Sequence, residues 1–412
     1  MKTDSKRKVF VIGAGLAGLS CAVRLHESGI PVEVFEASDS IGGRVRTDVL
    51  GGFLLDRGFQ VYLDAYRDAG RFLDLAALDL RRFQPGALVW KRGKLWKVMD
   101  IFRSPLSVFS SVAAPVGGIG DKLRIARLRH TLLRKPIADI WRSPDGSTCE
   151  YLRQFGFSER MIDDFFRSFY GGIFLEDGLV TSSRIFEFTF RMFSEGYATL
   201  PAKGIQAIPD QLASRLPPQT IHLNSPVRSI EGTTVRLDQC VLAASHVVVA
   251  TDGSVAGRLV SGIDETKWNS TSCLYFAAER PPVSKPIIVL KGDREGLINN
   301  LSVPSLLSAG YAPREQSLIS VSILGDHRET PELTERVRGE LVEWFGEEAA
   351  KWKHLRTEHI QRALPIAPPG NDSPQPRHGS VLVCGDHTTS GSIEGAIQSG
   401  WRTAHQLLSK NY

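Results

Sequence analysis

Four apolar residues, Val9–Ile12, precede a stretch in which Leu16, Leu19, Val23 and Leu25 return at helical spacing until Gly29, and a second short apolar run, Val32–Phe35, follows. A brief β-branched run bounded by glycine reads as a buried strand, and apolar residues at every third or fourth position read as one face of a helix. The chain therefore opens on a strand–helix–strand unit. Its other end has a similar layout: Val381–Val383 reads as a strand, a hydroxyl-rich loop follows, and a helix starts at about Ile393. In the middle, alternating runs turn at Glu231-Gly232 and lead to a buried-type strand, Val247–Ala250. Residues 86–199 read as mostly helical, with Leu123, Ala126, Leu128, Leu132 and Leu133 at amphipathic spacing among Arg124, Arg127, Arg129 and Arg134. Residues 271–364 alternate strands such as Leu318–Leu324 with an acidic helix around Glu332–Phe345.

Between the first strand and helix lies Gly13-Ala14-Gly15-Leu16-Ala17-Gly18, a GxGxxG run. Gly13 makes the tight turn out of the strand, Gly15 lets a pyrophosphate approach the backbone, and Gly18 lets helix and strand pack closely. The N–H groups at the helix start, around Leu16 and Ala17, hold the phosphate charge. Glu36, 23 residues after Gly13, closes the second strand where a carboxylate can accept hydrogen bonds from an adenosine ribose. The basic start MKTDSKRK with its apolar run imitates a secretory leader, but glycines at these spacings argue for strand, turn and helix.

Composition sharpens this reading. A chain of 412 residues supplies two or three domains at roughly 100–200 residues each. Its five Cys, at 21, 149, 240, 273 and 384, have no CxxC spacing, which excludes a disulfide framework and implies a reducing, cytoplasmic setting. Of 38 Gly, nine lie in residues 1–60 and four in residues 385–400, so both ends ask the backbone for close approaches and can serve one ligand. The net charge of +5 conceals an imbalance. Residues 81–135 hold 13 Lys/Arg and two Asp, a net 13 − 2 = +11, against 37 − 43 = −6 for the rest. That segment reads as a solvated basic face, a surface docking peripherally on anionic lipid, or a site for an anionic substrate. Its apolar part, Val98–Gly120, is interrupted by Pro105 and Pro115 and carries Asp100 and Arg103, which makes a poor transmembrane helix. No nucleic-acid module accompanies the charge.

After Glu36 the chain reads SIGGRVRTDVLGGFLLDRGFQVY, and near its end SVLVCGDHTTSGSIEGAIQSGWRTAHQLL. Both runs resemble the superfamily of flavin-containing amine oxidases, protoporphyrinogen oxidases and phytoene desaturases. The resemblance implies FAD rather than NAD, with Ala37 beside Glu36 and Gly42-Gly43-Arg44 along the FAD diphosphate. Ser40 stands where the family's motif has a first arginine. It also implies that Gly385 and Asp386 bind the ribityl chain or diphosphate, and that the amides around Ile393, Glu394 and Ala396 face the flavin pyrimidine edge. A backbone contact to adenine falls near Val227, with Thr251 ending a neighbouring strand and Gly58 and Phe59 close to the flavin. Lys203 is the residue that the resemblance offers for a lysine placed near flavin N5, with Lys291 as a second choice. His387 reads as lining the phosphate or ribityl path, and no Cys precedes Ser380 nearby to attach flavin covalently.

The resulting expectation is an α/β protein with a Rossmann-like, glutathione-reductase-like FAD-binding domain (1–85, 200–270, 365–412) and a discontinuous α+β substrate domain (86–199, 271–364). FAD is expected to be held noncovalently and no metal to be bound. The implied activity is hydride transfer from a substrate C–H to flavin N5, on an amine or an apolar small molecule. Alternatives are a membrane-associated polyene desaturase or protoporphyrinogen-oxidase-like enzyme, and a non-catalytic binding protein on the same fold. Intact Glu36, Arg44 and Asp386 argue against the last.

Overall fold

The computed structural model describes residues 8–100, 102–103, 114–370, 377–378 and 380–409. Strand β1 (Val9–Ile12), helix α1 (Leu16–Glu27) and strand β2 (Val32–Phe35) form the first unit, within the bounds that the apolar pattern predicts. The chain then passes through β3 (Gly86–Lys91), β4 (Lys94–Met99), α2 (Ile119–Arg134) and α3 (Ser183–Glu195), and returns through β5 (Ile221–His222) and β6 (His246–Val249). It leaves again through β7 (Trp268–Ala278), β8 (Ile288–Lys291), β9 (Ile298–Ser302), β10 (Ser317–Leu324), α4 (Leu333–Phe345) and β11 (Lys353–Pro365). It closes with β12 (Arg377–His378), β13 (Val381–Val383) and α5 (Ile393–Ser409).

These passages build two large sheets. The first has six strands in the order β5-β2-β1-β6-β13-β12, parallel except for the last pair. Val9 pairs with both Val32 and His246, and Val248 with Leu382, so strands far apart in sequence lie side by side. A parallel sheet covered on both faces needs continuous apolar strands, which is why these runs show no alternation. On one face α1 and α5 pack so closely that a Cβ on Gly400 would run into the Ala17 carbonyl oxygen and Ser20 Oγ. Ser20 Oγ donates to Ile397 O across this contact at 3.0 Å.

The second sheet has seven strands, β11-β7-β10-β9-β8-β3-β4. One face packs on α4 through Leu333, Val337, Leu341 and Trp344 against Phe276, Val321 and Ile323. The other looks toward aromatic helices that include α3.

Two expectations need correction. Residues 86–99 form a β-hairpin rather than helix, and Gly86–Lys91 buries every second residue, a period too short-lived to outweigh the helical pattern that follows. Leu128 and Leu132 of α2 are buried, but Leu123 is 67% exposed, beside Ile119 at 70%. The basic segment is also less of a free face than its charge suggests. Arg103 donates to Gly196 O and Ser194 O and covers the Tyr197 ring, Arg129 donates to Ser194 O, Lys135 pairs with Glu187, and Lys91 pairs with buried Asp164. Residues 101 and 104–113, with Pro105, lie outside the described residues.

Candidate functional site

The glycines after β1 are separated by what a side chain would meet. A Cβ on Gly13, whose φ is +105°, would lie 2.8 Å from Ala250 O, and one on Gly18 would collide with Gly13 O. A Cβ on Gly15 would meet nothing within 4 Å. Gly13 and Gly18 thus close the strand–helix joint, while Gly15 borders open space. The start of α1 has no side-chain cap and no acidic residue in its first turn, so its leading N–H groups and dipole are left for an anion. The Gly42-Gly43 loop crosses this start: Gly42 N donates to Ala14 O at 2.8 Å, and Gly43, at φ +61°, approaches Gly15.

Glu36 is held at the edge of the same space. Its Oε2 accepts from Ala14 N at 2.7 Å, and its Oε1 accepts from Ser38 N and Ser38 Oγ at 2.9 and 2.8 Å. The carboxylate is fixed in direction; Oε1 has both lone pairs occupied, and Oε2 keeps one for a further donor. From the far end of the chain, buried Asp386 pairs with Arg44 at 2.5 Å. Arg44 also donates to Ala363 O and lies 5.1 Å from the Trp268 ring centroid. The fork expected to hold a diphosphate is thus first a clasp between segments 342 residues apart. At the start of α5, Ser392 already takes Gly395 N on its Oγ and Ala396 N on its carbonyl, so the donors left there are the amides of Ile393 and Glu394.

A model of the flavin-containing amine oxidoreductase family matches residues 16–408. The chain belongs to that family. Over 169 residues it is 28% identical to protoporphyrinogen oxidase 2 of Arabidopsis thaliana, covering 41% of this chain and 32% of that protein. Over 250 residues it is 29% identical to an L-amino-acid oxidase of Bungarus fasciatus, covering 56% of this chain and 46% of that one. The chain thus spans less than half the length of these relatives. A putrescine oxidase solved with putrescine bound superposes with a TM-score of 0.75 at 18% identity, covering 98% and 99% of the two chains, a likeness of fold. Membership in this family carries a flavin cofactor, and the cradle fits a dinucleotide: open backbone at Gly15, free helix-start donors, an oriented Glu36, and a cavity bordering all three.

That cavity, about 1180 Å³, exceeds the roughly 300–1,000 Å³ of a typical small-molecule site and has room for a dinucleotide plus a second molecule. Gly13, Gly15, Leu16, Ala17, Glu36, Ala37, Gly42, Gly43, Arg44, Gly58, Phe59, Val227, Thr251, Gly385, Asp386, Ile393 and Ala396 all line it. Gly18 stays behind them in the joint. Glu394 turns away: its carboxylate accepts from Arg67 N, Asp68 N and Ala69 N at 3.2, 2.9 and 2.8 Å, and burial raises its pKa against those bonds. Lys203 is exposed and does not reach the cavity, and Lys291 spends its ammonium on Gly296 O. Among the described residues, the lysine lining the cavity is Lys122, from the basic segment, its pKa lowered chiefly by burial. His387 is not a lining residue. Both its ring nitrogens are buried without a partner, and burial lowers its pKa.

Beyond the dinucleotide cradle the walls turn aromatic. Phe165 and Phe169 stack at 5.5 Å, and Phe169 meets Phe193 at 5.3 Å. Several supports carry no local sequence signal. Tyr275, on β7, accepts from Gly58 N at 3.1 Å and donates to Asp56 O, while Ser272 Oγ bonds His359 Nδ1 at 3.0 Å. Ser38 offered the one clue, an ST-type hydroxyl two residues after Glu36.

Proposed function

We propose that this chain is an oxidoreductase that holds FAD noncovalently and oxidises a C–N or C–C bond of an apolar or amine small molecule. The supporting observation is that one cavity runs from the open start of α1 and Glu36 to an aromatic chamber walled by Phe165, Phe169, Phe190 and Phe193. When bound, FAD supplies the hydride acceptor at N5. The chain's own residues bind, orient and exclude water. The amides at the start of α1 carry diphosphate charge, and Glu36 takes a ribose hydroxyl on its remaining acceptor site. The helix-start dipole of α5 favours negative charge beside Ile393. The aromatic chamber keeps the substrate dry and in van der Waals contact. Burial raises the phenols of Tyr66 and Tyr170, so both stay neutral and serve as walls with weak polar tips rather than as bases.

Noncovalent attachment rests on the cysteines. None lines the cavity, and Cys384, just after β13, is fully buried, with a thiol pushed up to about 12 by burial. Acid or heat denaturation of the purified yellow protein should release all of its flavin as FAD into the supernatant. Flavin that stays with the precipitated chain, or release of a mononucleotide, would contradict this reading.

A further inference from the structure

The basic segment turns part of its charge inward. Lys122, Ile125 and Arg129, at positions i, i+3 and i+7 of α2, share one face of that helix and line the cavity. Asp100 and Arg103, from the chain just after β4, line it as well. Arg103 and Arg129 converge on one acceptor, their Nη2 atoms donating to Ser194 O at 3.0 and 2.8 Å. Each guanidinium is packed on a ring, Arg103 at 4.3 Å from the Tyr197 centroid and Arg129 at 4.9 Å from that of Phe102. Among the described residues, Asp100 is the one carboxylate that pairs with either, at 3.4 Å from Arg129 and 3.7 Å from Arg103. Two guanidiniums, one ammonium and one carboxylate leave this end of the lining at 3 − 1 = +2.

The side chains of Arg103 and Arg129 are 13% and 17% exposed, so this charge is held largely out of water. Burial is the largest influence on Arg129 and Lys122 and works against both charges, with Arg103 adding to it at Arg129 and Arg160 at Lys122. Like charges gathered in a half-buried place cost free energy that a bound anion offsets. Donors remain for one. Hydrogen bonds to Gly196 O and Ser194 O use two of the five N–H donors of Arg103, and those to Asp100 and Ser194 O use two of Arg129's five. The planar forks suit a carboxylate. Ser194 directly follows Phe193, which meets Phe169 at 5.3 Å, so the charged end adjoins the aromatic wall. We propose that Arg103 and Arg129, with Lys122, form an anion subsite that takes a carboxylate of the substrate while its apolar body lies along Phe169 and Phe193. This rests on the chamber being the substrate site of the proposed oxidoreductase. It narrows the substrate class to apolar molecules that end in a carboxylate.

The test is isothermal calorimetry on the FAD-loaded protein with two probes that share one body, 4-phenylbutyrate and 4-phenyl-1-butanol, for wild type, Arg129→Gln, Arg129→Lys and Asp100→Asn. Wild type should prefer the carboxylate. Arg129→Gln should cut the carboxylate-to-alcohol affinity ratio by about tenfold or more, the worth of a hydrogen bond to a charged group. Arg129→Lys, which keeps the charge without the fork, should cut it by less. Asp100→Asn keeps an acceptor for Phe102 N but removes the competing charge, so the ratio should rise severalfold, an increase that loss of structure does not produce. An unchanged ratio in Arg129→Gln, a level or lower ratio in Asp100→Asn, or no preference for the carboxylate in wild type would overturn the proposal. So would Arg129→Gln losing attachment to phosphatidylglycerol vesicles while its ratio stays level, which gives these cations to a lipid surface. Heat of binding does not depend on flavin reduction. A protein that binds the probes with these ratios but takes up no FAD would therefore sink the functional reading and leave the anion subsite standing.

Discussion

Gly400→Ala is expected to destabilise the protein by about 1–3 kcal/mol and to loosen its hold on FAD, although alanine is ordinarily the better helix former. The methyl group would enter the Ala17 carbonyl and Ser20 Oγ, so α1 and α5 would have to separate. These two helices begin at the two glycine-rich ends of the cradle, with α1 starting at Leu16 and α5 at Ile393. Moving one displaces the donors of one half from the ligand bound by the other. The same substitution at Gly339, inside α4, has the opposite sign. There the Cβ would meet nothing within 4 Å, so the variant should gain about 0.5–1 kcal/mol from reduced unfolded-state entropy, with FAD content untouched. Chemical denaturation of the two variants, with bound flavin measured in each, checks both signs.

Asp56→Ala is expected to cost about 3–5 kcal/mol. The side chain is 8% exposed and collects a hydroxyl proton from Thr47 at 2.5 Å, Ile205 N–H at 2.9 Å and the Tyr311 hydroxyl at 2.9 Å. Truncation takes this acceptor from two buried donors, Ile205 N–H and the Tyr311 hydroxyl, and from the part-buried Thr47 hydroxyl, each a penalty of its own. It also releases the Arg57-Gly58 turn, both of whose residues line the cavity. Asp56→Asn keeps an acceptor oxygen for Thr47 and Ile205 and should cost about 1 kcal/mol. Burial is the largest influence on this carboxyl and raises its pKa, with the three hydrogen bonds opposing. The folded state therefore binds the proton more tightly than the unfolded chain. Its contribution to stability is full below the unfolded value of about 4 and declines as pH rises through the folded pKa. Carboxyls held low by arginines, such as Asp48 and Asp163, give both proteins an opposite slope, so urea unfolding should show the stability difference, wild type minus Asp56→Asn, falling as pH rises across the acid range.

The contrast between these residues explains which parts of the molecule can be read from its chain. The unit β1–α1–β2 is legible to its bounds because every requirement in it is local: turn glycines, a strand buried on both faces, and an acid at the strand end. The segment Val381–Val383 followed by a helix from Ile393 is legible for the same reason. That the two ends meet is suggested by glycine clustering alone, but the contact at Gly400 depends on how closely two helices approach, which no spacing reports. Arg44 reads as a phosphate ligand because its partner Asp386 is 342 residues away and the guanidinium fork suits either anion. Lys203 lies in a glycine-containing loop that the resemblance places near the cavity, yet its side chain is exposed and outside the lining, since a loop's sequence does not specify which way a flexible side chain turns. The resemblance assigns Glu394 through its backbone amide, and where its carboxylate goes is not legible: it meets the amides of residues 67–69, more than 320 positions away. The strand Gly86–Lys91 is a tertiary feature, masked by the long helical pattern after it.

The most direct measurement is anaerobic mixing of the purified yellow protein with separate panels of amines, porphyrinogens and carotenes, followed by flavin absorbance. The account predicts that at least one class bleaches the flavin band, and that admitting oxygen or a quinone restores it. A flavin band unmoved by every class, while dithionite still bleaches it, would contradict the assignment of this cavity to substrate oxidation.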